Sequence, residues 1–127
     1  MQKLICLFFF LTLCTMTAFA QSDNDDVRHV VVFKYKADAS EADIQKVTDS
    51  FRDLQNKIPG IVSFEHGINN SPEGLNQGFT HVYLLTFEDA KARDTYLPHP
   101  NHKEFGSLLD DLGVLEEVFV VDYTVGE

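Results

Sequence analysis

The chain of 127 residues has no tryptophan, and it has only two cysteines and two methionines. Cys6, Cys14, Met1 and Met16 all fall in its first 20 residues. That segment reads as a signal peptide. Lys3 supplies a positive start, and Leu4 to Leu13 form an apolar run too short to span a bilayer comfortably. Thr17-Ala18-Phe19-Ala20 is a small-residue cleavage pattern ahead of the polar Gln21-Ser22-Asp23. Cleavage after Ala20 is the expectation, leaving an exported protein, periplasmic or secreted, with no membrane attachment. An uncleaved anchor and a lipoprotein acylated at Cys14 are the alternatives, but Leu13 stands where lipoprotein processing prefers a small residue. Once residues 1–20 are gone no disulfide is possible, so the core alone must hold the domain together.

Positive charge is also scarce, with 10 Lys and Arg against 20 Asp and Glu, a net charge of −10. Loss of Lys3, the one charged residue of the leader, takes the balance from −10 to −11. A field of that sign repels phosphate, which argues against nucleic acid and anionic lipid as partners. Residues 21–26 read as a flexible polar lead-in, and residues 27–127 suit one domain without internal repeats.

His29-Val-Val-Val-Phe-Lys-Tyr-Lys36 is β-branched and aromatic and reads as a first strand, with His29, Val31, Phe33 and Tyr35 on one face and Val30 and Val32 on the other. Ser40 followed by Asp43 resembles a capping box. Ile44, Val47, Phe51, Leu54 and Ile58 then recur at helical spacing, which predicts a helix over 41–57 stopped by Pro59-Gly60. Ile61 to Ile68 reads as a second strand, the segment from Asn69 to Gly78 as a polar loop, and Thr80 to Phe87 as a third strand. Asp89 can cap a short helix through Leu97, which Pro98 and Pro100 interrupt. Asn101 with Glu104 can restart a helix whose apolar stripe is Phe105, Leu108, Leu109 and Leu112. Gly113 ends it, and Val118 to Val125 reads as the last strand.

The order βαββαβ predicts an α+β fold of ferredoxin-like type, an antiparallel sheet with helices on one face and with strands one and three as parallel central neighbours. The other face would expose Val30, Val32, Val82 and Leu84, an apolar surface that soluble monomers rarely leave in water. The chain has no spare segment to cover it, so a second copy packed sheet against sheet is expected, making a homodimeric α/β barrel.

Parallel neighbours would place His29 and His81 at the same end of the sheet. His102, three residues before Phe105, falls on the buried stripe of the last helix in its first turn. The partial positive charge there disfavours imidazolium, so His102 suits a neutral general base. Asp122, acidic inside an apolar strand, could hold the second nitrogen of that base. Tyr96 offers a phenol to a developing oxyanion. The plain alternative is that these groups only satisfy one another, with His99 capping a helix. A third reading has His29, His81 and His102 converging at zinc-ligand distances.

The strand His29-Val-Val-Val-Phe-Lys-Tyr-Lys, Lys57-Ile-Pro-Gly-Ile, Gly78-Phe-Thr-His81, Tyr96-Leu-Pro-His-Pro-Asn-His102 and Val121-Asp-Tyr123 together resemble the stress-responsive A/B-barrel (Dabb) family of dimeric α/β barrels. The likeness runs from about Val27 to Val125. That family includes a plant polyketide cyclase that closes its substrate by intramolecular aldol condensation without a cofactor. The resemblance implies His102 as base, Asp122 as its orienting carboxylate, Tyr96 as phenolic acid, and His29 and His81 as supporting histidines. It also implies a pocket wall of Val31, Phe33, Tyr83, Phe105, Val118 and Val120. No cofactor and no metal are expected. The wider superfamily contains haem-degrading enzymes, but nothing beyond the histidines points to haem here. Two functions stay open: cofactor-independent acid-base chemistry of aldol or lyase type, and a non-catalytic stress-responsive dimer holding a small apolar or aromatic molecule.

Overall fold

The computed structural model describes residues 25–125. The expected leader and its cleavage point lie outside the described residues. Strand β1 (Val27–Tyr35) alternates buried and half-buried positions, with Val27, His29, Val31 and Phe33 turned inward. Helix α1 (Glu41–Lys57) starts at a reciprocal cap: Ser40 Oγ accepts the Asp43 backbone N–H at 3.1 Å and donates to the Asp43 carboxylate at 2.7 Å. Its inward stripe buries Val47, Phe51 and Leu54. Strand β2 (Ile61–Ile68) and strand β3 (His81–Phe87) form a hairpin around the polar loop. Helix α2 (Ala90–Tyr96) is capped by Asp89, whose Oδ1 accepts the Ala92 N–H at 2.7 Å.

Helix α3 (Pro100–Leu112) begins two residues earlier than an Asn101 cap would allow. The cap is His99, whose Nδ1 accepts the Asn101 N–H at 3.2 Å, with Pro100 in the first turn, where its missing N–H costs nothing. Gly113, at φ 60°, closes that helix. Strand β4 (Leu115–Thr124) starts three residues before Val118. Leu115 and Glu117 pair with Tyr35 and Lys34 across a register shift, and this irregular end hides the alternation from the sequence.

The sheet runs β2-β3-β1-β4. β1 pairs antiparallel with both β3 and β4, so the fold is the ferredoxin-like α+β arrangement but its central strands are not parallel. The reason is connectivity: the β2-β3 hairpin reverses β3 relative to the direction that the α1 crossover sets for β1 and β2. One consequence corrects the sequence reading of the histidines. Phe33 faces His81 while His29 faces Leu85, so His29 and His81 share the helix side of the sheet at opposite ends. Four residues of strand separate their rows, about 13 Å at ~3.3 Å per residue.

The core between sheet and helices is aromatic. Phe51 stacks on Phe105 at 4.6 Å between ring centroids, and Phe33 meets Tyr83 at 5.1 Å. The Tyr83 hydroxyl is satisfied inside by Thr48 Oγ1 at 2.8 Å and by the Tyr35 hydroxyl at 3.0 Å. Burial, and then this bond to Tyr83, pushes the Tyr35 phenol well above its ordinary pKa.

Gly60 links β2 to α2 in a way that no other residue can. Its φ is +90°, and a Cβ built there would lie 2.6 Å from the Cβ of Ala92. Gly60→Ala adds left-handed strain to a clash with a buried neighbour, so we expect it to destabilise by roughly 2 kcal/mol. Thermal unfolding would read this as a lower Tm, and an unchanged Tm would refute the close approach.

Candidate functional site

A cavity of about 240 Å³ lies between the sheet and α3. Its walls include His29, Val31 and Phe33 from β1, Phe51 from α1, Phe105, Gly106 and Leu109 from α3, and Val118 and Val120 from β4. Tyr96, Leu97 and His102 close one end. Val118 and Val120 are 49% and 50% exposed although they face the helix side, because α3 stops short of the edge strand and leaves the cavity its mouth there. The α3 stripe is only partly buried for the same reason: Phe105 is in the core, whereas Leu109 borders the open space.

His102 sits against Tyr96, ring centroids 4.3 Å apart. Its Nδ1 is 2.9 Å from the Leu97 carbonyl oxygen. A carbonyl only accepts, so Nδ1 carries the proton, and in the neutral ring Nε2 is left with its lone pair. This corrects the expected pairing, because the main chain orients His102 and Asp122 does not. The turn between α2 and α3 forced by Pro98 and Pro100 is what aims that carbonyl back at the ring.

Asp122 instead holds His29. Its Oδ1 lies 2.6 Å from His29 Nδ1, and its Oδ2 accepts from Arg93 Nη1 at 2.6 Å. The register places Asp122 directly across from His29 on the neighbouring strand. Burial works to raise the pKa of the Asp122 carboxyl, but the Arg93 and His29 hydrogen bonds outweigh it and hold the group below its ordinary value of 3.8. A carboxyl whose folded-state pKa is depressed contributes stability that is present above the unfolded value and lost as pH falls through the folded one. Acid unfolding of Asp122→Asn should therefore be less steep below about pH 4 than that of the parent. Coincident stability-against-pH curves would mean that the carboxylate is not held in this way.

Tyr96 is fully buried, and its hydroxyl is the buried side-chain polar atom without a hydrogen-bond partner among the described residues. Burial pushes its phenol pKa up, so it remains a neutral donor. An enclosed donor left unmade costs on the order of 1–3 kcal/mol. Its ring also meets His29 edge to face at 5.9 Å.

Of the residues singled out from the sequence, His29, Tyr96, His102, Val31, Phe33, Phe105, Val118 and Val120 line this one cavity, with Asp122 directly behind His29. Tyr83 is in the core beside it. His81 is not in the cavity: it packs against Tyr35 at 4.8 Å between ring centroids and bonds Thr80 Oγ1 at 2.8 Å. Burial, and then the nearby His66, lowers its pKa. The zinc reading fails on the same geometry, since His81 stands at the far end from His29. No group of three or more His, Cys, Asp or Glu among the described residues could hold a metal ion. Glu65 and His66 on β2 are exposed. Arg93 was missed, although a cation three residues before Tyr96 on one helix face is a signal that the sequence carries.

The chain belongs to the stress responsive A/B barrel domain (Dabb) family, whose profile matches residues 27–125. It is 36% identical over 97 residues to the Arabidopsis thaliana stress-response A/B barrel domain-containing protein HS1, covering 76% of this chain and 87% of that one. It is 29% identical over 98 residues to olivetolic acid cyclase of Cannabis sativa, covering 77% and 95%. Among solved structures, the hydroxynitrile lyase of Passiflora edulis superposes with a TM-score of 0.74 at 27% identity, covering 82% of this chain and 96% of that one. A dimeric ferredoxin-like protein from Jannaschia superposes with a TM-score of 0.67 at 26% identity, covering 79% and 99%.

Proposed function

We propose that the protein is an exported homodimer whose sheet-helix cavity binds a small, uncharged apolar or aromatic carbonyl compound and performs cofactor-independent acid-base chemistry on it, of lyase or aldol type. One observation carries this reading. A fully buried phenol with an unspent donor stands beside a histidine whose Nδ1 is spoken for and whose Nε2 is free, in walls that are apolar apart from His29.

In this scheme Nε2 of His102 takes a proton from the carbon next to the carbonyl, and the electron pair moves onto the carbonyl oxygen. The Tyr96 hydroxyl stabilises the resulting enolate, with His29 close by. No carboxylate or phosphate is provided for, since Arg93 is engaged by Asp122 and Asp94 and does not line the cavity. At about 240 Å³ the space is below the ~300–1,000 Å³ typical of drug-sized ligands, which favours a compact substrate over a long-tailed one. A relative that is a cyclase and a neighbour that is a lyase fit chemistry of this kind.

The dimer is argued from the opposite side of the sheet. Val30, Val32, Val82 and Leu84 from the central strands join Phe119, Val121 and Tyr123 of β4 on that face, and Phe119, Val121 and Tyr123 are 51%, 44% and 51% exposed. The loop after β2 rises beside this face and leaves hollows of about 420 and 360 Å³ for a partner surface. Dimeric relatives of the same fold support this.

A second reading, a ligand-binding dimer without turnover, draws on Phe33, Phe51 and Phe105, which fill much of the space near the histidines. Two measurements separate the readings. Native mass spectrometry of the exported protein reports subunit number and any carried molecule. Deuterium exchange into the methyl group of acetophenone in D₂O, followed by NMR, reports proton removal next to a carbonyl. Exchange above the buffer rate supports the enzyme. A retained ligand with no exchange across a panel of small ketones and cyanohydrins supports the binding protein.

A further inference from the structure

We propose that Arg93 is a positioning residue for the cavity: its guanidinium braces His29 through Asp122, and the helix that carries it also carries Tyr96 and the carbonyl that fixes His102. It deepens the reading above, but its test does not require turnover. The chain of contacts starts at Arg93 on α2. Its Nη1 donates to Asp122 Oδ2 at 2.6 Å, and the other oxygen of Asp122 holds Nδ1 of His29 at 2.6 Å. Strand β4, which carries Asp122, is an edge strand. The bond to Arg93 is therefore a side-chain tie from that edge across to α2. On the helix side, Tyr96 lies one turn on from Arg93. The Leu97 N–H donates to the Arg93 carbonyl at 3.2 Å, and the Leu97 carbonyl is the group that fixes His102. The side chain of Arg93 thus governs the support of His29, while its helix carries Tyr96 and the carbonyl that aims His102.

The charge matters as well as the reach. A carboxylate shared between a permanent cation and an imidazole does not need the imidazole to become charged, whereas one facing only the imidazole favours its protonation. The groups that face His29 are few. Asp122 comes from β4, Tyr96 and, behind Asp122, Arg93 come from α2, the uncharged Phe87 ring comes from β3, and His102 stands across the cavity on α3. Asp94 occupies Nε of Arg93 at 2.7 Å and holds the fork in place.

The test is ¹⁵N NMR of the histidine side chains in the intact exported protein and in Arg93→Met at one fixed pH, with circular dichroism and native mass spectrometry confirming fold and subunit number. We expect the ring ¹⁵N signals of His29 to move in the variant, because the Asp122 carboxylate that holds its Nδ1 loses its other partner. The Nε2 signal of His102 should broaden or move as α2 loosens. A purely structural role would lower Tm and leave both histidine signals in place, and that result would overturn the proposal. If Arg93→Met does not fold, Arg93→Gln, which can still donate to Asp122, isolates the charge. Displaced His29 ring signals support the role, and signals that coincide with those of the parent sink it. Because the readout is the state of the histidine rings, a cavity without turnover would refute the proposed function and leave this inference standing or falling on its own.

Discussion

Replacing His102 with alanine should lower acetophenone deuterium exchange by about 10²–10⁴-fold while the protein stays folded, because a positioned general base contributes a factor of that order. The fold should tolerate the change. His102 is only half-buried, and what the structure loses is one bond to the Leu97 carbonyl, about 1 kcal/mol. The informative companion is Tyr96→Phe. An ordinary buried tyrosine is bonded, so removing its hydroxyl destabilises the protein. Here the hydroxyl is enclosed without a partner, so its removal should leave Tm unchanged or raise it while exchange falls. Opposite movement of stability and activity at Tyr96, together with a dead but folded His102→Ala, is the signature of a site that carries strain for function. If both variants keep parental exchange rates, neither residue has the role assigned to it.

The elements were legible because they depend on local chemistry. The Ser40 and Asp89 caps, the Gly113 stop and the apolar period of α1 all act within a few residues, and the observed spans follow them. The inward placing of His29 and His102 was legible too, since strand and helix period alone reveal it, whereas Tyr96 was singled out only for its phenol and the fold brings it to the same cavity. What failed was strand direction. Taking β1 and β3 as parallel put His81 beside His29, whereas the antiparallel pairing carries it to Tyr35 and Thr80 at the other end. The partner of Asp122 failed for a related reason. Which histidine a carboxylate meets depends on the register between β1 and β4, and chemical suitability for a base says nothing about register. Main-chain acceptors such as the Leu97 carbonyl leave no mark on residue type, so the group that orients His102 could be found only once the turn through Pro98 was seen.

Val32→Asp should convert the dimer to a monomer whose cavity-side structure is unchanged. Val32 lies at the middle of the outer face, between Val82 and Phe119 on the adjoining strands. In a lone subunit that position is only half-buried, so the new carboxylate can keep its water and the fold has little to lose. Against a second copy the same group must be stripped of solvent with no cation across from it. Arg28 and Lys34, the outward-facing cations of β1, point to the same side but are already paired with Asp26 and Glu116. Burying an unpaired charge costs about 3–5 kcal/mol, and a twofold interface meets that cost in both subunits. The dissociation constant should therefore rise by at least about 10²–10³-fold, which sedimentation or native mass spectrometry would read as loss of the dimer. The monomer should also bind a hydrophobic dye, since Phe119, Val121 and Tyr123 would then face water. A Val32→Asp protein that stays dimeric at low micromolar concentration would show that the partner is seated elsewhere, and that this apolar face is covered by something other than a second copy of the chain.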